Sequence, residues 1–261
     1  MATRQNLAKF TKTRLKTSAS SLLAIKRLRQ IARLDIGREM RKGVPEVILA
    51  EGKSLDDVAE ITLAMVEHTG RAIVSRANKK YFKRIRAKRI PNTQIAFFER
   101  SGMIVAKRAS FKVKATGGRI GLLTAGTSDI PVAEEAKIVA REMGCETQEF
   151  YDVGVAGLHR LFSPLSKLLK WDADVVIVVA GREGALPTVV AGLVDIPLIA
   201  VPTSHSYGFG SRGIAALAAM LQSCSLGMAV VNIDSGVGAG SIGALIANRA
   251  AKGRANRLGA R

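Results

Sequence analysis

Four short stretches of the chain hold residue types that can do chemistry. In "LQSCSLGMAVVNID", residues 221–234, Cys224 stands between two serines, where an apolar helix pattern ends and an apolar strand pattern begins. A thiolate there would be a nucleophile. The carboxyl end of a helix carries partial negative charge and does not lower a thiol pKa, so a nearby base or a cationic substrate would have to activate it. The other reading of the same residue is a small buried apolar thiol. In "AGREGALPT", residues 180–188, Glu183 lies between Gly181 and Gly184, just beyond an all-apolar run. It is either an exposed loop charge or a base whose pKa partial burial raises. "YDVGVAGLHR" sets His159 at the start of a helix pattern, as a candidate general acid or base or a structural helix-start histidine. In "TAGTSDIPV" the small residues Thr127 and Ser128 precede Asp129, so that a helix start and small hydroxyls together could hold a phosphate, or form an ordinary cap. Two further loops, "VPTSHSYGFGSRG" with Ser204, His205 and Tyr207, and "VVNIDSGVGAG" with Asp234, are built in the same way. The sequence shows no CxxC or HExxH metal spacing and no P-loop.

Except for Cys224, which precedes the last of them, these residues follow short Val- and Ile-rich runs: "RIGLLTAG", "ETQEFYDVGV", "ADVVIVVAG", "PLIAVPTS" and "MAVVNID". Helix patterns over 130–143, 158–170, 184–194 and 213–222 separate them, and a small-residue helix pattern over 236–250 follows. Strands alternating with helices predict a parallel sheet covered on both faces, with ligands bound beyond the carboxyl ends of the strands. The fold class is therefore α/β from residue 119 onward. Ahead of it the spacing predicts an α+β domain over 1–118. The apolar residues of "SLLAIKRLRQIARLDIGREM" recur at threes and fours and predict a basic amphipathic helix. A strand follows over 46–49, then a helix capped by Ser54 and ended by Gly70, then strands in "RAIVSRA", "IAFFE" and "MIVAKRAS". Residues 251–261 read as a basic tail.

The 261 residues are 48% hydrophobic and carry a net charge of +19, so the core is sizeable and anionic partners are favoured. The charge is uneven. Residues 1–42 hold 12 Lys and Arg against 2 Asp and Glu, residues 43–70 hold 1 against 6, and residues 71–119 hold 15 against 1. Two cysteines build no disulfide framework, and neither an apolar leader nor a membrane-length apolar run is visible. A reducing cytoplasm and no membrane partner are expected. A nucleic-acid-binding reading of 71–119 meets sparse aromatics and no motif in "KKYFKRIRAKR", and gives the glycine-rich second half no role, so nucleic acid is not an expected partner.

Taken in order, the loops resemble a known family. "AGTSD", "GLHR" and "AGREGALPT" resemble the PurE-like fold of aminoimidazole ribonucleotide carboxylases and mutases. Glu183 within "REGALP", Cys224 within "LQSCSLG", the ending "VVNIDSGVGAG" and the upstream "PEVILAEGKS" resemble the LarB branch of that fold, which makes the nickel-pincer nucleotide cofactor. "TSHSYGFGSRG", with His205 and Arg212, departs from the LarB pattern. The resemblance implies a three-layer, flavodoxin-like α/β/α domain over 119–250. It implies carboxylation of the pyridinium ring of nicotinic acid adenine dinucleotide with carbon dioxide. Cleavage of the phosphoanhydride then gives pyridinium-3,5-biscarboxylic acid mononucleotide and AMP. Cys224 would be the nucleophile, Glu183 the base and His159 a further catalytic group. Thr127, Ser128, Asp129, Gly181, Ser204, Tyr207 and Asp234 would bind substrate. No tightly bound cofactor is implied, assistance by Mg²⁺ in the phosphoanhydride step is left open, and a homo-octamer is expected. The alternative is an aminoimidazole ribonucleotide carboxylase or mutase, whose substrate is already an enamine-like nucleophile and needs no thiol.

Overall fold

A computed structural model describes residues 19–28 and 31–258. The part of the expected 1–118 domain ahead of residue 19 lies outside the described residues. The chain divides into two compact units, the first running to Lys112 and the second beginning at Val113, with Arg100–Gly102 counted in the second.

The first unit begins with a helical turn, α1 (Ala19–Leu22), and an antiparallel hairpin, β1 (Lys26–Leu28) and β2 (Ala32–Leu34), in which Lys26 pairs with Leu34 and Leu28 with Ala32. The single amphipathic helix expected over this stretch is thus overturned. Spacing at threes and fours over so short a run also suits two short strands, and burial decides between them. Leu34 enters the core with Leu28 and Ala32 packed beside it, while Ile25, on the expected helical stripe, stays exposed. After α2 (Arg38–Lys42), strand β3 (Val47–Leu49) leads to α3 (Leu55–Thr69). Ser54 caps that helix by accepting the Asp57 N–H at 3.0 Å, and Gly70 closes it at φ 79°, as the sequence predicts. Strands β4 (Arg71–Ser75), β5 (Thr93–Phe98) and β6 (Met103–Arg108), with helix α4 (Lys79–Ala87) after β4, complete a sheet of order β3-β4-β6-β5. Its β3–β4 pair is parallel and the other pairs are antiparallel.

The second unit is the α/β domain. Strands β7 (Arg119–Thr124), β8 (Glu146–Phe150), β9 (Val175–Ala180), β10 (Leu198–Pro202) and β11 (Met228–Val230) form one parallel sheet of order β11-β10-β9-β7-β8. Between them run α5 (Ile130–Glu142), α6 (His159–Lys170), α7 (Ala185–Ala191) and α8 (Ile214–Leu221), and α9 (Gly236–Leu258) ends the unit. α9 continues well past residue 250, so the residues read as a basic tail are helical through 258. One face of the sheet packs on α6, α7 and α8 through Leu161, Leu168, Leu186, Val190, Ala216 and Met220. On the other face α9 meets Ile177 at Gly243, and a β-carbon at Gly240 would lie 2.4 Å from the Ala136 carbonyl of α5. The small residues of α9 therefore serve close packing within the unit. No helix among the described residues is long and apolar enough to cross a membrane.

The sheet leaves no spare volume under α6. A β-carbon at Gly121 would come within 2.7 Å of Leu168, which is fully buried. Gly121→Val is expected to destabilise the fold by roughly 1–3 kcal/mol through overpacking, read as a lower urea midpoint by far-UV circular dichroism.

Candidate active site

The strand order reverses between β7 and β9, because the chain goes from β7 outward to β8 and then returns to the other side of β7. Loops leaving β7 and β9 diverge there and open a crevice at the carboxyl edge. A cleft of about 700 Å³ occupies that place. Its walls come from the loops after four strands: Gly126 to Asp129 after β7, Gly154 to Arg160 after β8, Gly181 to Glu183 after β9, and His205 to Tyr207 after β10. Several of these loops are held in costly backbone conformations. Asp152, Arg182, Arg212 and Asp234, each in a loop beyond a different strand, have φ between 52° and 59°, where residues with a β-carbon are uncommon.

Asp129 organises the floor. It ends a turn of 3₁₀ helix, Thr127–Asp129, and is buried. One carboxylate oxygen accepts the Gly126 N–H at 2.9 Å, and the other accepts the Thr203 hydroxyl at 2.7 Å. Burial raises its pKa, against the Thr203 and Gly126 hydrogen bonds and the nearby His205, which lower it. Gly181 packs so closely that a β-carbon would meet the Thr203 hydroxyl at 2.7 Å. Ser128, Glu183, Arg182, His205 and Tyr207 stand exposed around this floor. Arg160 lines the opposite wall, tied to Asp152 at 2.9 Å. Small hydroxyls, a helix start and Arg160 suit an anionic ligand, and the exposed Glu183 carboxylate beside them can take a proton.

The cleft brings together six of the residues singled out from the sequence: Ser128, Asp129, Gly181, Glu183, His205 and Tyr207. His159 is exposed at the start of α6 and does not line it; its neighbour Arg160 does. Thr127 and Ser204 are also outside the lining, and Asp234 acts through Ser204, whose N–H it accepts at 2.9 Å. The arginines were missed. Arg160 follows His159 directly and Arg182 precedes Glu183, but an arginine at a loop carries no spacing signal of its own. Among the described residues no group of three His, Cys, Asp or Glu side chains is placed to hold a metal.

The two cysteines differ sharply. Cys145 is buried, its thiol 3.2 Å from the Asn248 side-chain oxygen, and burial pushes its pKa up to about 11. Cys224 is exposed on the loop between α8 and β11, outside the cleft lining. That loop is pinned to α7, where Thr188 donates to the Ser223 hydroxyl at 3.0 Å and the Ser225 hydroxyl donates to the Thr188 carbonyl at 2.9 Å. The two serines around Cys224 are thus anchors that leave the thiol between them free.

Residues 25–108 match the model of a LarB/PurE-like N-terminal domain, and residues 119–260 match that of AIR carboxylase. The chain belongs to the LarB/PurE-like family. It is 48% identical over 217 residues to an uncharacterized protein of Methanocaldococcus jannaschii, covering 82% of this chain and 83% of that one. It is 34% identical to the N5-carboxyaminoimidazole ribonucleotide mutase of the same organism, over 45% of this chain and 71% of that one. The mutase of that name from Thermotoga maritima is 28% identical over 34% of this chain and 52% of its own. The parallel five-stranded sheet with helices on both faces is the PurE-like fold, and the LarB/PurE-like family is one of carboxylases and mutases.

Two outcomes follow from this geometry. An aromatic disulfide reagent added to the folded protein should label Cys224 quickly and Cys145 only on unfolding, and Cys224→Ala should remove the fast phase. Asp129 has a raised pKa in the fold, so the folded chain binds its proton more tightly than the unfolded chain. Stability should therefore fall as pH rises from the ordinary carboxyl value of 3.8 through the raised value. Asp129→Asn should flatten that decline in urea titrations at successive pH values.

Proposed function

We propose that this LarB/PurE-like protein carboxylates the pyridinium ring of nicotinic acid adenine dinucleotide with carbon dioxide and cleaves its phosphoanhydride, releasing AMP. The observation that carries this reading is the exposed thiol of Cys224, held between two hydrogen-bonded serines while Cys145 is buried.

A pyridinium ring is too electron-poor to attack carbon dioxide. Addition of the Cys224 thiolate forms a carbon–sulfur bond and neutralises the ring, leaving an enamine carbon that bonds to carbon dioxide. Loss of that carbon's proton to Glu183 and departure of the thiolate restore the aromatic ring. Water then divides the phosphoanhydride between AMP and the dicarboxylated mononucleotide. Ser128, Asp129 and Gly181 shape the nucleotide end of the cleft and Arg160 faces its anionic groups, with Thr127, His159, Ser204 and Asp234 supporting from the surrounding loops. Cys224 must be delivered to the ring, and assembly offers a route. α8 carries no charged residue, and Ile214 at its start and Leu221 and Leu226, on either side of Cys224 in sequence, are exposed. An apolar helix face of this kind is normally covered, and a homo-oligomer, an octamer by resemblance, would cover it.

Purified protein given nicotinic acid adenine dinucleotide and bicarbonate should yield AMP and a mononucleotide heavier by one carboxylate, by mass spectrometry. Cys224→Ala should abolish both products, and Glu183→Gln should slow them by roughly 10²–10⁴-fold. Native mass should be a multiple of 27.8 kDa, and Leu226→Glu should lower it. The similarity to N5-carboxyaminoimidazole ribonucleotide mutases favours a second reading, carboxylate transfer on that substrate. In that case Cys224→Ala would leave turnover intact.

A further inference from the structure

Arg182 and Tyr207 are not explained by the chemistry at Glu183. The Arg182 guanidinium lies 4.1 Å from the centre of the Tyr207 ring, closer than the other arginine–aromatic stacks among the described residues, at 4.9 and 5.6 Å. Both side chains are exposed, Tyr207 at 77%. No carboxylate among the described residues pairs with Arg182, whereas Arg160 across the cleft is paired with Asp152. The backbone of Arg182 is left-handed at φ 52°, between Gly181, which has no room for a β-carbon, and Glu183–Gly184, with Gly184 at φ 65°. The turn therefore fixes the direction in which the Arg182 side chain leaves the backbone.

This pair also stands between two concavities. Arg182, Glu183 and Tyr207 line the main cleft on one side. On the other they line an open hollow of about 350 Å³ bounded by Gly210 and Ala215. A flat cation laid on a phenol ring is a platform for another flat π system, and neutral nucleobases stack on arginine and tyrosine faces. A cationic ring would be repelled by the unpaired guanidinium. The platform thus discriminates between the two rings of a dinucleotide, one neutral and one charged.

We propose that Arg182 and Tyr207 form a stacking subsite for a neutral aromatic base, which holds the adenine of the dinucleotide at the hollow and directs the cationic ring to the cleft. The adenine assignment rests on the function proposed above; the preference for a neutral base does not.

The test is calorimetric binding of AMP and of ribose 5-phosphate, which lacks the base, to the full-length protein. Arg182→Ala and Tyr207→Ala should each weaken AMP about tenfold or more and leave ribose 5-phosphate unchanged. Arg182→Gly, which suits the left-handed backbone, should match Arg182→Ala, and Tyr207→Phe, which keeps the ring, should retain AMP affinity. Equal losses for both ligands, no loss for either, or wild-type affinity for AMP no greater than for ribose 5-phosphate would overturn the subsite. If the AMP pattern holds while no carboxylated product forms, the carboxylation reading fails and the base subsite stands.

Discussion

The cleft depends on one buried carboxylate. Asp129 accepts from Gly126 in its own loop and from Thr203 in the loop after β10, and so joins two loops on either side of β9. The loop after β9 is clamped between them, because Gly181 lies against both Thr203 and Asp129. Burying a charged or polar carboxyl is costly unless its oxygens are satisfied, and here each has a donor. The raised pKa of Asp129 is the electrostatic consequence of that burial. Loops that carry Glu183, Arg182 and Tyr207 inherit their positions from this joint, which is why several can sit in left-handed conformations that an unsupported loop would relax.

Charge in the first unit is spent partly on itself. The acidic helix α3 and the basic helix α4 face one another, with Arg84 paired to Asp56 and Lys88 to Glu60 at 2.5 Å. Lys79 pairs with Glu99 at 2.9 Å. The acidic block over 43–70 and the basic block over 71–119 are thus partners in space as well as contrasts in sequence. Exposed pairs of this sort contribute only about 0–1 kcal/mol each, and they orient the helices more than they hold them. The buried Arg71 is different: it makes a two-pronged contact with Glu39 at 2.9 Å and stacks on Phe111. A planar guanidinium can be desolvated there because both its edge and its face are occupied.

Much of the second unit was legible from its pattern. Apolar runs the length of a strand alternate with helix-length segments, and that alternation permits little but a parallel sheet covered on both faces. Ser54 and Gly70 marked the ends of α3 because caps act through their own local hydrogen bonds. The stretch around 22–34 was not legible, because its apolar spacing suits a helix and a hairpin alike, and contact with the core of the first unit selects the hairpin. His159 was drawn to the cleft by its chemistry, yet the helical turn that starts at it aims Arg160 there instead.

The sequence by itself determined which residue types stand beyond each strand end and which stand just ahead of the last strand, and so which chemistry is available: a carboxylate, hydroxyls and a helix start, and a thiol. Those are local properties, set by composition and by the change from strand to helix periodicity. Only the tertiary structure decided which of them share a cleft. Strand order puts β7 beside β9 and opens the crevice between their loops, and no local pattern encodes which strands become neighbours. Burial likewise separated two chemically identical thiols, withdrawing Cys145 from water and leaving Cys224 in it, because solvent exposure is settled by what the rest of the chain packs against.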